Sequence, residues 1–136
     1  ILKKINGEKL MEQLDFYING SWVKPNGVEA LDVINPASEE KVTRISLGNA
    51  NHVNEAVAAA RKAFETYSQT PVEQRIDLLT TIREIYKRRL DDVADAIQTE
   101  MGAPTHLAKG AQAMVGLEHL KAAIRTLTNH CFEYKH

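Results

Sequence analysis

Hydrophobic and polar positions along this chain follow two periods, and the change from one to the other divides it. Up to Gly48 the apolar residues come in short runs or at alternate positions, as in half-buried strands. From Asn51 onward they recur every three or four residues, as in helices. Within "FYINGSWVKPNG", Phe16 to Gly27, two Asn-Gly pairs interrupt the apolar residues. Asn-Gly supplies the positive φ that a type I′ turn requires. Phe16-Tyr17-Ile18 and Ser21-Trp22-Val23 are therefore predicted as the arms of a hairpin turning at Asn19-Gly20, with Pro25-Asn26-Gly27 ending the second arm. "ALDVI", Ala30 to Ile34, is a further strand, stopped at Asn35-Pro36 because proline pushes its predecessor out of helical geometry. "KVTRISLG", Lys41 to Gly48, is a β-branched run closed by glycine. These strands predict one small antiparallel unit. A lone hairpin is only marginally stable in water, so it must lean on other structure.

In the helical part, Asn51 is read as the cap of a helix whose stripe is Val53, Ala56, Val57, Ala60, Phe64 and Tyr67. "TPVE" reads as a capping box, with Thr70 as cap, Pro71 at the first helical position and Glu73 reaching back. Val72, Ile76, Leu79, Ile82, Tyr86, Leu90, Val93, Ile97 and Met101 continue by threes and fours. That run is long, and "RRLDD" is the place for a break, since Asp91 and Asp92 suit the first turn of a new helix. Gly102 and then Pro104 end it. A last helix is predicted from about His106 to Thr128, with Leu107, Ala111, Met114, Leu117, Leu120, Ile124 and Leu127 facing inward. Gly110 and Gly116 are unfavourable there by propensity, which points to close helix packing. The fold class is α+β: an extension over residues 1–15, a strand unit over 16–48, a helical segment over 49–130, and a following strand or linker over 131–136.

Composition changes this picture little. The 136 residues are 43% hydrophobic and 26% charged, with a net charge of −1. That balance exerts no broad pull toward nucleic acid or an anionic membrane. No apolar run approaches the roughly 20 residues that span a bilayer. The one cysteine, Cys131, leaves no internal disulfide and fits a reducing, cytoplasmic setting. The chain opens on Ile1, and Met11 begins "MEQLDFYING"; Met11 is read as the natural start, the other reading being a genuine extension. At the far end Phe132 and Tyr134 alternate with polar residues like a strand beginning, so the chain is read as cut there.

The residues themselves supply no reaction centre. The glycines match neither G-x-G-x-x-G nor a P-loop, and no zinc-protease or paired C-x-x-C motif occurs. Cys131 is a candidate nucleophile beside His130 and His136, yet a lone cysteine after a helix reads as a small packed hydrophobe. The spacing of His130, Cys131 and His136 fits no common zinc pattern. His52, His106 and His119 stand singly and read as surface or cap residues. "KRRLDD", Lys87 to Asp92, could hold a phosphate, but Glu84–Arg88, Lys87–Asp91 and Arg88–Asp92 at i,i+4 make a neutralised, solvated face the better reading. No catalytic, cofactor-binding or metal residue is assigned.

The order of landmarks nevertheless resembles a known one. "YINGSWV" at 17–23, "VINPASEEKV" at 33–42, "AVAAARKAF" at 56–64, "PVEQRIDLLTTI" at 71–82 and "TEMGAP" at 99–104 resemble the amino-terminal segment of the NAD(P)-dependent aldehyde dehydrogenase family. The third helical stretch, "LAKGAQAMVGLEHLKAA" at 107–123, resembles one subgroup, whereas Ala103 departs from members with lysine after the glycine. The resemblance implies the front part of an α/β, Rossmann-like cofactor domain whose strands lean on later sequence. It implies aldehyde oxidation with NAD or NADP in the complete enzyme, an aldehyde substrate and a homo-oligomer, with no cofactor held by this portion alone. It places the catalytic cysteine and glutamate beyond His136, because neither Cys131 nor Glu100 matches their motifs. Asn35, Pro36, Arg75, Glu100 and Gly102 resemble scaffold landmarks. Two rival readings are a non-catalytic helical interaction or scaffolding module, and a dehydrogenase-like fold with lost chemistry.

Overall fold

Asn19 and Gly20 adopt φ of 52° and 80° in the computed structural model of the chain, as a two-residue type I′ turn demands. The structure describes residues 13–132. The turn joins β1 (Phe16–Ile18) to β2 (Ser21–Val23), paired Phe16 to Val23, Tyr17 to Trp22 and Ile18 to Ser21. The opposed Tyr17 and Trp22 rings meet edge-on, 5.2 Å apart. A second hairpin pairs β3 (Ala30–Ile34) with β4 (Lys41–Ser46), with a bulge between Val33 and Ile34. The strands therefore form two separate two-stranded sheets where one antiparallel unit was expected. Pro25 removes a ladder donor and Gly27 turns at φ 65°, so the chain leaves the first ladder before it can join the second. β4 also stops at Ser46, short of Gly48.

The remaining elements are α1 (Ala50–Tyr67), α2 (Val72–Arg88), α3 (Leu90–Met101), α4 (Thr105–Leu107), a π-helical segment Ala108–Gln112, and α5 (Ala113–Asn129). The α+β class is as read. The described residues form two compact units. One holds the chain up to Gln69 with Thr99–Gly102, and the other holds Thr70–Gln98 with the chain from Ala103.

In the first unit, α1 begins two residues earlier than predicted. Asn49, not Asn51, is the cap, because its Oδ1 reaches the N–H groups of Asn51 at 3.0 Å and His52 at 3.3 Å. Asn35 makes the expected turn: Ala37 N–H donates to its Oδ1 at 2.9 Å, and Glu39 N–H to its carbonyl at 2.8 Å. Gly102, at φ 64°, lies against this turn, and a Cβ there would fall 2.8 Å from the Ala37 nitrogen.

In the second unit the predicted capping box does not form. Pro71 occupies the cap position with ψ 152°, too extended to be the first helical residue, and no side chain caps the helix. Arg75 Nε instead donates to the Thr70 carbonyl at 2.9 Å. The break falls at Arg89, as read, with Asp91 and Asp92 in the first turn of α3. It removes the aspartates from the side-chain rows of α2, so the expected Lys87–Asp91 and Arg88–Asp92 pairs give way to others, while Glu84 pairs with its neighbour Arg83 and not with Arg88. Arg89 pairs with Asp92 at 2.8 Å, Lys109 with Asp91 at 3.3 Å, and Arg83 with Glu84 at 3.0 Å.

The π-helical segment corrects the last predicted stripe. One extra residue in a turn rotates the residues before it relative to those after it. Ala108 and Ala113 are fully buried, whereas the predicted Leu107 and Ala111 are exposed. Beyond the segment the predicted phase returns, with Leu117 buried and Leu120, Ile124 and Leu127 half-buried. Ala94, Ala108 and Ala113 form the core of this unit, with Leu90, Val93, Ile97 and Ala103 packed around them. Small side chains allow close backbone approach. Tyr86 of α2 lies over Gly116 of α5, where a Cβ would come within 2.6 Å of its Cζ, and its hydroxyl donates to the Ala113 carbonyl at 2.8 Å. Gly116 thus has the packing reason predicted for it. Gly110 does not, since a Cβ there would meet nothing within 4 Å. Among the described residues no helix is long and apolar enough to cross a membrane.

Candidate functional site

Cys131 follows the end of α5 and is exposed. Beside it the His130 and Phe132 rings meet edge-on at 4.6 Å, so aromatic packing engages the histidine. Both line a shallow open cleft of about 510 Å³ with Leu79, Ala123, Thr126 and Leu127. Its walls are mainly apolar, which suits an apolar side chain better than an ionic ligand. His136 and Tyr134 lie outside the described residues, as do Met11 and most of the predicted extension. His106 in α4 and His119 in α5 are exposed, while His52 serves the α1 cap, its Nδ1 accepting from Asn49 N–H at 3.2 Å. Among the described residues no three His, Cys, Asp or Glu side chains converge to hold a metal.

The remaining sequence landmarks occupy scaffold positions. Asn35 and Gly102 come together, since a Cβ at Gly102 would lie 3.2 Å from Asn35 Oδ1. Arg75 ties the start of α2 to Thr70. Glu100 is exposed in the last turn of α3. Asp32 has its carboxyl held below the ordinary 3.8, chiefly by the Lys41 hydrogen bond and further by the charges of Lys41 and Arg44, against some loss of hydration. Asp32 stands about half exposed on a hairpin, in ion pairs with Lys41 and Arg44.

What the chain does present is apolar surface. On α1, Val53, Val57, Phe64 and Tyr67 are exposed, and no residue of that helix is buried. On α2, Leu78, Ile82 and Ile85 are exposed. The predicted inward stripe of α2 included Ile82 but missed Leu78 and Ile85, which add a second apolar row. The unbroken apolar pair Leu78-Leu79 was the signal for it. Apolar surface of this kind marks contact sites for protein, membrane or ligand.

Comparison with known proteins gives that surface its context. Residues 22–133 match the model of the aldehyde dehydrogenase family. A Pseudomonas 3-succinoylsemialdehyde-pyridine dehydrogenase is 46% identical over 120 residues, 88% of this chain and 25% of that protein. A putative aldehyde dehydrogenase of Staphylococcus aureus is 42% identical over 117 residues, 86% of this chain and 25% of its own length. The crystal structure of a Bartonella henselae aldehyde dehydrogenase superposes with a TM-score of 0.87 at 38% identity, covering 90% of this chain and 26% of the other. A mutant aldehyde dehydrogenase C from Pseudomonas syringae, solved with NAD+ and octanal, gives 0.87 at 36% identity, with 90% and 25% covered. The chain belongs to the aldehyde dehydrogenase family, and it spans about a quarter of the length of these relatives.

Proposed function

We propose that this chain is the amino-terminal part of a cytoplasmic, homo-oligomeric oxidoreductase that oxidises an aldehyde to a carboxylic acid with NAD or NADP as hydride acceptor. The portion itself is structural. Its positive-φ glycines, Gly20, Gly27 and Gly102, sit in a hairpin turn, a loop and a helix end, and none opens a helix in the way a dinucleotide-phosphate loop does. These residues do not fit a nicotinamide cofactor, and no step is assigned to them.

One observation carries the reading: helices with strong apolar stripes leave those stripes open, on a chain a quarter as long as its relatives. We take the uncovered faces as the seat of the remainder of the enzyme. The test has two parts on the purified natural protein. Its intact mass should be several times 15.2 kDa. It should reduce NAD or NADP with an aldehyde, tried first with the semialdehyde and the octanal that two relatives' names give. A mass near 15.2 kDa with no reduction of cofactor would favour the non-catalytic scaffolding module instead. A large, folded protein without activity would favour a family member with lost chemistry.

A further inference from the structure

The first turn of α1 is closed by reciprocal hydrogen bonds, and one partner titrates. Asn49 Oδ1 accepts from the helix, and the Asn49 N–H returns a bond to His52 Nδ1 at 3.2 Å. In an ordinary capping box, glutamate or glutamine makes that return bond. A glutamate stays an acceptor throughout the neutral range. Imidazole accepts at Nδ1 only while that nitrogen has no proton. The same ring meets Phe16 of β1 edge-on, 5.1 Å between centroids at 70°. The His52 ring is thus shared between the helix cap and the contact with the first hairpin.

We propose that His52 makes this junction a pH-sensitive clamp, closed at neutral pH and loosened when the imidazole takes up a proton. Protonated Nδ1 becomes a donor facing the Asn49 N–H donor. The added charge also stands in the first turn of a helix, where the peptide dipoles already present a positive end. The Asn49 N–H meets Nδ1, and the Phe16 ring of β1 meets the imidazole edge-on. Neither of these two groups carries charge, so neither offsets the proton. Glu55, at the i+3 position of the same helix, is the nearest acidic residue along the chain. The clamp therefore holds while Nδ1 is bare and is lost when that nitrogen takes up a proton.

Amide hydrogen exchange on the purified protein tests this, with intrinsic rates corrected for pH. Between about pH 7.5 and about pH 5.5, protection of the Asn49 N–H should fall on the order of fivefold, the worth of one cap interaction. His52→Gln keeps a carbonyl acceptor at every pH, so it should keep the protection and abolish its pH dependence. Unchanged protection in the wild-type chain would overturn the proposal. So would the same pH-dependent loss in His52→Gln. A third, variant-free reading comes from the imidazole nitrogen resonances: a protonated Nδ1 at neutral pH refutes the clamp, and a bare Nδ1 that protonates together with the loss of protection supports it.

Discussion

Along α1, Val53, Val57, Phe64 and Tyr67 are 44–66% exposed, whereas Ala94, Ala108 and Ala113 of the helical unit are 1% exposed or less. Both regions carry a clean apolar stripe in sequence, and the larger side chains belong to the open one. Had burial within this chain alone shaped the pattern, phenylalanine and tyrosine would fill a core and alanine would face water. The reverse holds. The alanines serve close approach of helices that meet one another, while the bulky residues of α1 stay uncovered among the described residues. Periodicity reports which face is apolar and says nothing of what covers it.

The comparison breaks most sharply at Phe64. In the complete protein, if α1 is covered, Phe64→Ala should destabilise by about 3–5 kcal/mol, as truncation of a buried aromatic does. If the stripe faces water, the change should stay within about 0.5 kcal/mol, the ordinary range for surface substitutions. Denaturant unfolding of wild type and variant decides between them. The next largest effect lies at Gly102, where backbone and not a side chain blocks the space. Gly102→Ala must hold φ near 64° and place its Cβ 2.8 Å from the Ala37 nitrogen and 2.9 Å from its Cβ. We expect a loss of about 3 kcal/mol from strain and overpacking together, read from the same unfolding curves.

Gly116 tests the helical unit in the same manner, with a softer obstacle. A Cβ there would press on the Tyr86 ring, which can swing away at the expense of its bond to the Ala113 carbonyl. Gly116→Ala should lose about 2 kcal/mol. In a Tyr86→Leu background the penalty should shrink, and additive losses in that double-mutant cycle would show that the contact is not what fixes the glycine.

These glycines also mark how far the sequence can be read. Local chemistry is legible: the Asn19-Gly20 turn, the break at Arg89, and the Gly102-Pro104 stop all depend on residues adjacent in the chain. Gly116 is legible as a packing site, although nothing local names Tyr86 as its partner. The same argument fails at Gly110, which lies in the π-helical segment and faces open space. A π turn has no strong composition signal, so periodicity misplaces Leu107 and Ala111 while it places Leu117 and the residues beyond it correctly. The cap of α1 is displaced for a related reason. Asn49 and Asn51 are both competent acceptors, and only the backbone at Asn49, extended at ψ 179°, selects between them. For the candidate site, no constellation is visible in the sequence, and the described structure brings none together from distant residues.

The smallest effect separates the two sheets. Asp32 lies directly opposite Arg44 across the β3–β4 ladder and forms ion pairs with Lys41 Nζ at 2.8 Å and Arg44 Nε at 3.0 Å. The β1–β2 ladder pairs Tyr17 with Trp22 instead, a contact indifferent to pH. The Lys41 bond foremost, with the cationic field of both neighbours, holds the Asp32 carboxyl below its ordinary 3.8. A carboxylate whose folded value is depressed stabilises the fold above its unfolded value, and that contribution disappears as pH falls through the folded one. Asp32→Asn should therefore be slightly less stable than wild type at neutral pH, with the gap closing below pH 3.8. The gap should also narrow in high salt, because the group is exposed and screened. Tyr17→Leu should show neither dependence. Paired melting curves in acid and in salt would measure both, and a gap at Asp32 that persisted in acid would mean that the carboxylate's charge is not what joins β3 to β4.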